Sequence, residues 1–343
     1  MTTDEKGSNP ALSRRAVIAT ACAATAVAAA PAIAQQDTPQ PTVTPPARPK
    51  GPRVFLDYDQ AELDAAYDQS AYAPNREQML ARFASNSDLV RTRIGAPERL
   101  AYGPMEIEQL DLYRTKRPHA PAQIFVHGSA WRLGSAKDNG FLAELFAGAG
   151  AHFIALDFAP VASTGGSLVP MANQVRHAIV WVWRNAARLG IDPTQLYLSG
   201  FSWGGHLAAV ALTSQWNEFG ASGNVLKGGL CCSGIYDLKP VRLSALSRYV
   251  RIDETIENTL SPIRHLDRLS VPLVVAYGSL ETPEFQRQNR DFAQAVKDAG
   301  KPVDLLVGAN YNHFELFETL ANPYGLLGRA ALAQMKLTPL CPR

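Results

Sequence analysis

Cysteine is scarce in this chain, with four residues among 343. Cys22 falls in the leader described below, which leaves Cys231, Cys232 and Cys341, and an odd number does not build a disulfide framework. Cys231 and Cys232 are neighbours. Inside a strand their side chains point to opposite faces, so a bond between them is strained and both read as small buried hydrophobes. No Cys and His spacing suggests zinc. Excess charge of either sign is absent too: 33 Lys and Arg stand against 31 Asp and Glu, a formal net charge of +2. No basic run is interleaved with aromatic residues, so a nucleic-acid partner has no electrostatic support. No internal repeat is present, and no apolar run reaches the ~18 to 20 residues that span a bilayer.

What is present begins with an address. A polar start precedes Ser13-Arg14-Arg15, an alanine-rich apolar stretch over 16–30, and Pro31-Ala32-Ile33-Ala34-Gln35. Ala32 and Ala34 form an A-x-A cleavage site, and paired arginines before a modestly apolar region read as a twin-arginine export signal over 1–34. The mature protein is then expected in the periplasm or outside the cell, without stable membrane insertion. Residues 35–53 hold six prolines and no apolar period, which predicts an extended linker. The folded domain is expected over 54–343.

Within that domain, 54–104 is polar with a helical period, and helices are expected over 61–67 and 77–83. Apolar runs suited to strands follow at 107–113, 122–126, 153–158, 196–199, 226–233, 273–277 and 303–307. Helical text separates them at 138–147, 171–189, 204–214 and 284–299, and Gly190 is placed to end the second of these in a left-handed cap. Such alternation calls for an α/β fold with a mostly parallel central sheet and helices on both faces. Over 238–269 the period weakens, as in a cap-like insertion or an irregular connection near the active-site edge.

Gly200-Phe201-Ser202-Trp203-Gly204 fits G-x-S-x-G and sits between a predicted strand and a predicted helix. That setting lifts the serine hydroxyl clear of the sheet, so Ser202 is the candidate nucleophile. In this fold the acid and then the histidine follow the serine along the chain. His313, just after the last strand, is the candidate base, whereas His206, on the helix leaving the elbow, reads as structural. Glu281 lies in the loop after strand 273–277 and is the candidate acid, with Asp237, after the preceding strand, as the alternative. His127-Gly128-Ser129-Ala130-Trp131 has the placing of an oxyanion loop, with the amides of Ser129, Ala130 and Trp203 as donors. Trp131 and Trp203 read equally as the wall of an aromatic substrate pocket or as buried tryptophans that fill space, and Phe201 is a further candidate for the wall.

These residues resemble the arylformamidase (kynurenine formamidase-like) branch of the α/β-hydrolases, close to hormone-sensitive-lipase-type esterases. The likeness runs from about Leu56 to Leu320. It includes Leu56-Asp57-Tyr58-Asp59-Gln60, the loop at 127–131, the elbow, Ser233-Gly234-Ile235-Tyr236-Asp237-Leu238 and Asn312-His313-Phe314. The resemblance implies an α/β-hydrolase fold, Ser202 as nucleophile, Glu281 as acid, His313 as base, and no cofactor or metal. Its partner is a small-molecule acyl substrate, an ester or a formamide. Ser129 stands where the family favours glycine, and Phe201 and Trp203 crowd the serine. The competing class, a non-catalytic binding protein on a hydrolase scaffold, would show by loss of a triad member, and all three are kept.

Overall fold

The computed structural model describes residues 49–338. The expected leader with Cys22, most of the expected linker, and Cys341 lie outside the described residues. After a short hairpin, β1 (Arg53–Phe55) with β2 (Tyr58–Asp59), eight strands form one sheet. They are β3 (Glu98–Ala101), β4 (Gln109–Tyr113), β5 (Ala120–Val126), β6 (His152–Leu156), β7 (Ile191–Phe201), β8 (Gly228–Cys232), β9 (Leu273–Gly278) and β10 (Val303–Gly308). Their order is β10-β9-β8-β7-β5-β6-β4-β3. Only the β3–β4 and β4–β6 pairs are antiparallel; all the others are parallel.

The predominantly apolar strands are central because they are buried on both faces. Every residue of β5, β6, β8 and β9 is buried. Alternate residues feed two cores: Ile124 and Ile154 belong to one, Phe125 and Phe153 to the other. Each fully buried side chain of this size contributes about 1.5–3 kcal/mol, so the two layers fix the register of the sheet. Helices Val169–Arg184, Trp203–Leu212 and Pro283–Asp298 cover the first face, and Arg76–Ile94, Ala143–Ala149 and Leu326–Gln334 the second. Cys231 and Cys232 fall in opposite cores as free, buried thiols. The mostly parallel sheet with helices on both faces is the α/β-hydrolase architecture expected.

Three differences have local causes. Strand β3 was not expected, because Glu98-Arg99-Leu100-Ala101 is a solvated edge with no apolar signal. Arg99 anchors it instead, through ion pairs to Asp111 and Asp157. The helix expected over 77–83 extends over Arg76–Ile94, its stripe of Met79, Phe83, Ser87 and Val90 masked by a serine at a core position. That serine is satisfied by Phe83 O at 2.8 Å and Asp138 O at 2.9 Å. The helix expected over 171–189 breaks at Asn185, whose side chain donates to Trp181 O at 2.8 Å in competition with the backbone. Gly190 ends the second piece at φ 76°, as expected.

The 238–269 stretch is an irregular connection of short helices, Lys239–Leu243 and Glu254–Leu260, with single turns between. Buried Glu257 holds it together by accepting from Arg242 and Arg264. Helix Gln60–Ala65 opens on a capping box between Asp59 and Glu62. The chain then crosses the C-terminal ends of the strands, where Thr282 Oγ1 donates to Ala66 O at 2.7 Å.

Candidate active site

Strand β7 runs straight into Ser202, which adopts φ 57° and ψ −126° before helix Trp203–Leu212 begins. That backbone costs on the order of 1–3 kcal/mol for a residue with a side chain, and it persists because the surroundings dictate it. Ser202 N–H donates to Cys232 O at 2.8 Å, and Ser202 O accepts from His206 N–H at 3.2 Å. The two motif glycines are required by close approach. A Cβ on Gly204 would lie 2.2 Å from His127 O and 2.3 Å from Val126 O, and one on Gly200 would lie 2.3 Å from Gly204 O. All of these obstacles are backbone. Gly204→Ala is therefore expected to cost about 3 kcal/mol or more, at the upper end of overpacking, read as a lower midpoint in urea unfolding.

His313 is the first residue of helix His313–Glu318 and follows the capping residue Asn312. Its Nε2 lies 2.9 Å from Ser202 Oγ and its Nδ1 2.9 Å from Glu281 Oε2. A carboxylate only accepts, so it fixes the proton on Nδ1 and leaves the Nε2 lone pair facing the serine hydroxyl. Glu281 Oε1 in turn accepts from Ser233 Oγ at 2.6 Å and from Gly278 N–H at 2.6 Å. Ser202, His313 and Glu281 are 4%, 3% and 1% exposed, so water does not compete for these bonds. Asp237 is not brought to the histidine. It accepts from Lys239 N–H at 3.1 Å and pairs with Arg264 at 3.4 Å.

The loop after β5 carries three successive residues in the left-handed region, Ser129 at φ 85°, Ala130 at 54° and Trp131 at 58°. Ser129 thus stands where glycine would be unstrained. Its carbonyl is tied back by Arg132 N–H at 3.0 Å, and that of Trp131 by Val161 N–H at 2.7 Å. Among the described residues the amides of Ser129 and Ala130 donate to no protein acceptor. The Trp203 amide, at the first turn of its helix, lacks an intrahelical acceptor by construction. These donors flank the serine from two sides of the chain.

A cavity of about 570 Å³ opens over Ser202 and His313. Tyr67, Phe83, Phe201, Trp203, Phe285 and Phe317 line it, with Gln69, Arg76, Arg132, Asp138 and Asn139 among its polar groups. Phe201 and Trp203 are among the lining residues; Trp131 is not. It packs behind Trp203 at 4.3 Å and against His206 at 5.1 Å, as part of the core. The roof comes from Tyr67 to Ala84, and no cavity-lining residue belongs to 238–269. Sequence reading missed this roof, since its aromatic residues look like any helix stripe. A larger groove of about 1030 Å³, lined by Trp183, Lys227 and Lys336, lies at the N-terminal ends of the strands. It holds none of the residues of the serine relay.

His206 is structural, as expected. Its Nε2–H donates to Leu260 O at 2.8 Å, and burial pushes its pKa down to about 4. Because the unfolded chain protonates near 6.5, it binds more protons than the native state between these values, and stability falls as pH drops from about 6.5 to 4. A value so depressed corresponds to about 3 kcal/mol across that window. Thermal unfolding midpoints are expected to fall with pH there, and less steeply in His206→Gln.

The BD-FAE family profile matches residues 110–227. A kynurenine formamidase from Danio rerio is 29% identical over 292 residues, covering 79% of this chain and 94% of the relative. Another from Salmo salar is 30% identical over 244 residues, covering 68% and 79%. A thermophilic esterase structure from Thermogutta terrifontis superposes with a TM-score of 0.60 at 23% identity, over 73% of this chain and 96% of that one. Fold and sheet topology define an α/β-hydrolase. Within that class the chain belongs to the arylformamidase and hormone-sensitive-lipase-like esterase group, and it is a hydrolase of ester or amide bonds.

Proposed function

We propose that this hydrolase removes a small acyl group from an aromatic alcohol or amine, an aryl ester or aryl formamide, through an acyl-enzyme on Ser202. The observation that carries the reading is the unbroken relay from Ser202 through His313 to Glu281 at the foot of an aromatic cavity. Ser202 Oγ attacks the acyl carbon while its proton passes to His313 Nε2. The acyl oxygen becomes an oxyanion held by the amides of Ser129, Ala130 and Trp203. Collapse breaks the bond to the leaving oxygen or nitrogen, which takes the proton from His313. Water then repeats the sequence on the acyl-enzyme and releases the acid.

The aromatic lining supports an aryl leaving group, and the relatives named kynurenine formamidase support the formamide as one of the two acyl linkages. We further propose, on the sequence of 1–34, that the enzyme works outside the cytoplasm with its mature chain starting at Gln35. The test is a comparison of kcat/KM for phenyl acetate, formanilide and a long-chain alkyl ester. Aryl substrates are expected to lead; preference for the alkyl chain would overturn the aryl assignment.

A further inference from the structure

Asn75 immediately precedes helix Arg76–Ile94, where an asparagine side chain ordinarily accepts from the backbone of its own first turn. Here it makes no such bond. Its Nδ2 donates instead to Glu315 Oε1 at 2.7 Å, and its Oδ1 accepts from Asn312 Nδ2 at 2.8 Å, both partners more than two hundred residues along the chain. Those partners bracket His313. Asn312 Oδ1 accepts from the amides of Phe314 at 3.0 Å and Glu315 at 3.1 Å, while Glu315 Oε2 accepts from Asn312 N–H at 3.1 Å. Every polar side-chain atom of Asn75, Asn312 and Glu315 therefore has a partner within one closed ring.

We propose that Asn75 is a positioning residue for His313: it forgoes capping its own helix in order to brace the capping box on which the histidine stands. This rests on the reading of His313 as the base. Helix His313–Glu318 is only six residues long, too short to hold its first turn without tertiary support. Asn75 is outside the cavity lining, so it acts through the histidine and not on the substrate. The brace also explains why the roof is part of the active domain. The same chain segment that covers the cavity fixes the base beneath it. A second link, Arg82 to Glu318 at 2.6 Å, joins the second turn of the longer helix to the last residue of the shorter one, but it is half exposed and of the kind that contributes little.

The test measures the rate of inactivation by a fluorophosphonate probe together with kcat and KM for phenyl acetate. Asn75→Ala is expected to lower the inactivation rate and kcat by about ten- to hundredfold with KM within about twofold, because a small misplacement of the base removes that much rate. Asn75→Asp sets a carboxylate against Glu315 and is expected to lose at least as much. The double exchange N75D/E315Q restores a donor facing an acceptor and is expected to return to within about threefold of wild type. Arg82→Ala stays within about twofold. A purely structural role would lower the unfolding midpoint in N75D and leave its inactivation rate at 25 °C unchanged; that result, or a double exchange as impaired as N75D, overturns the proposal. A wild-type protein that resists the probe overturns the serine reading and this proposal with it. A labelled wild type with an unaffected N75A overturns this proposal alone.

Discussion

Ser202→Ala is expected to lower kcat by about 10⁴-fold or more, leaving only what oxyanion donors and binding supply. The reason is structural as well as chemical. Among the described residues no other hydroxyl is hydrogen-bonded to His313, whose Nε2 meets Ser202 Oγ at 2.9 Å, and the elbow backbone at φ 57° holds that one group in place. Alanine keeps the backbone and removes only the oxygen, so the fold should survive with its unfolding midpoint close to wild type. Steady-state hydrolysis of phenyl acetate, measured beside thermal unfolding, separates the two. A loss of less than tenfold in a folded variant would mean that another group carries the attack.

The second large effect distinguishes the acids. Glu281→Gln is expected to reduce kcat by about 10⁴-fold, since an amide can present its N–H to Nδ1 and favour the wrong imidazole tautomer. Asp237→Asn should stay within about threefold, because it removes an ion pair with Arg264 that is partly solvated. Glu281 also carries two donors on its other oxygen, Ser233 Oγ and Gly278 N–H, each at 2.6 Å. An uncharged amide there would keep one acceptor and lose the charge that stabilises the imidazolium. Equal losses in the two variants, or a larger one in Asp237→Asn, would contradict the assignment.

Much of this site is legible in the sequence because it is built at strand ends. A parallel sheet places the C-terminal ends of its strands together, so the candidate oxyanion loop after β5, the elbow after β7 and the candidate acid loop after β9 converge whatever lies between them. Chain order then selects His313. What stayed hidden is held by polar pairs between distant segments, such as Asn75 with Glu315 and Thr282 with Ala66. No local period reports such contacts, and a serine at position 87 further disguised the helix that carries the roof. Trp131 follows the space-filling one of its two readings. Its left-handed backbone accompanies a side chain packed behind Trp203.

The roof also changes how substrate selection is understood. Phe201 and Trp203 are only the floor of a cavity whose remaining aromatic groups come from the roof and from the helices that begin at Pro283 and His313. The proposed selectivity for an aryl group would thus draw on four separated segments, and the bulk beside the serine is one of them.

The central claim is that Ser202 carries the acyl group. Wild-type protein should be treated with a fluorophosphonate probe, digested and mapped by mass spectrometry. A single stoichiometric adduct is predicted on the peptide containing Ser202, accompanied by loss of hydrolysis and absent from Ser202→Ala. An adduct on another residue, or full hydrolytic activity in protein whose Ser202 is modified, would contradict it.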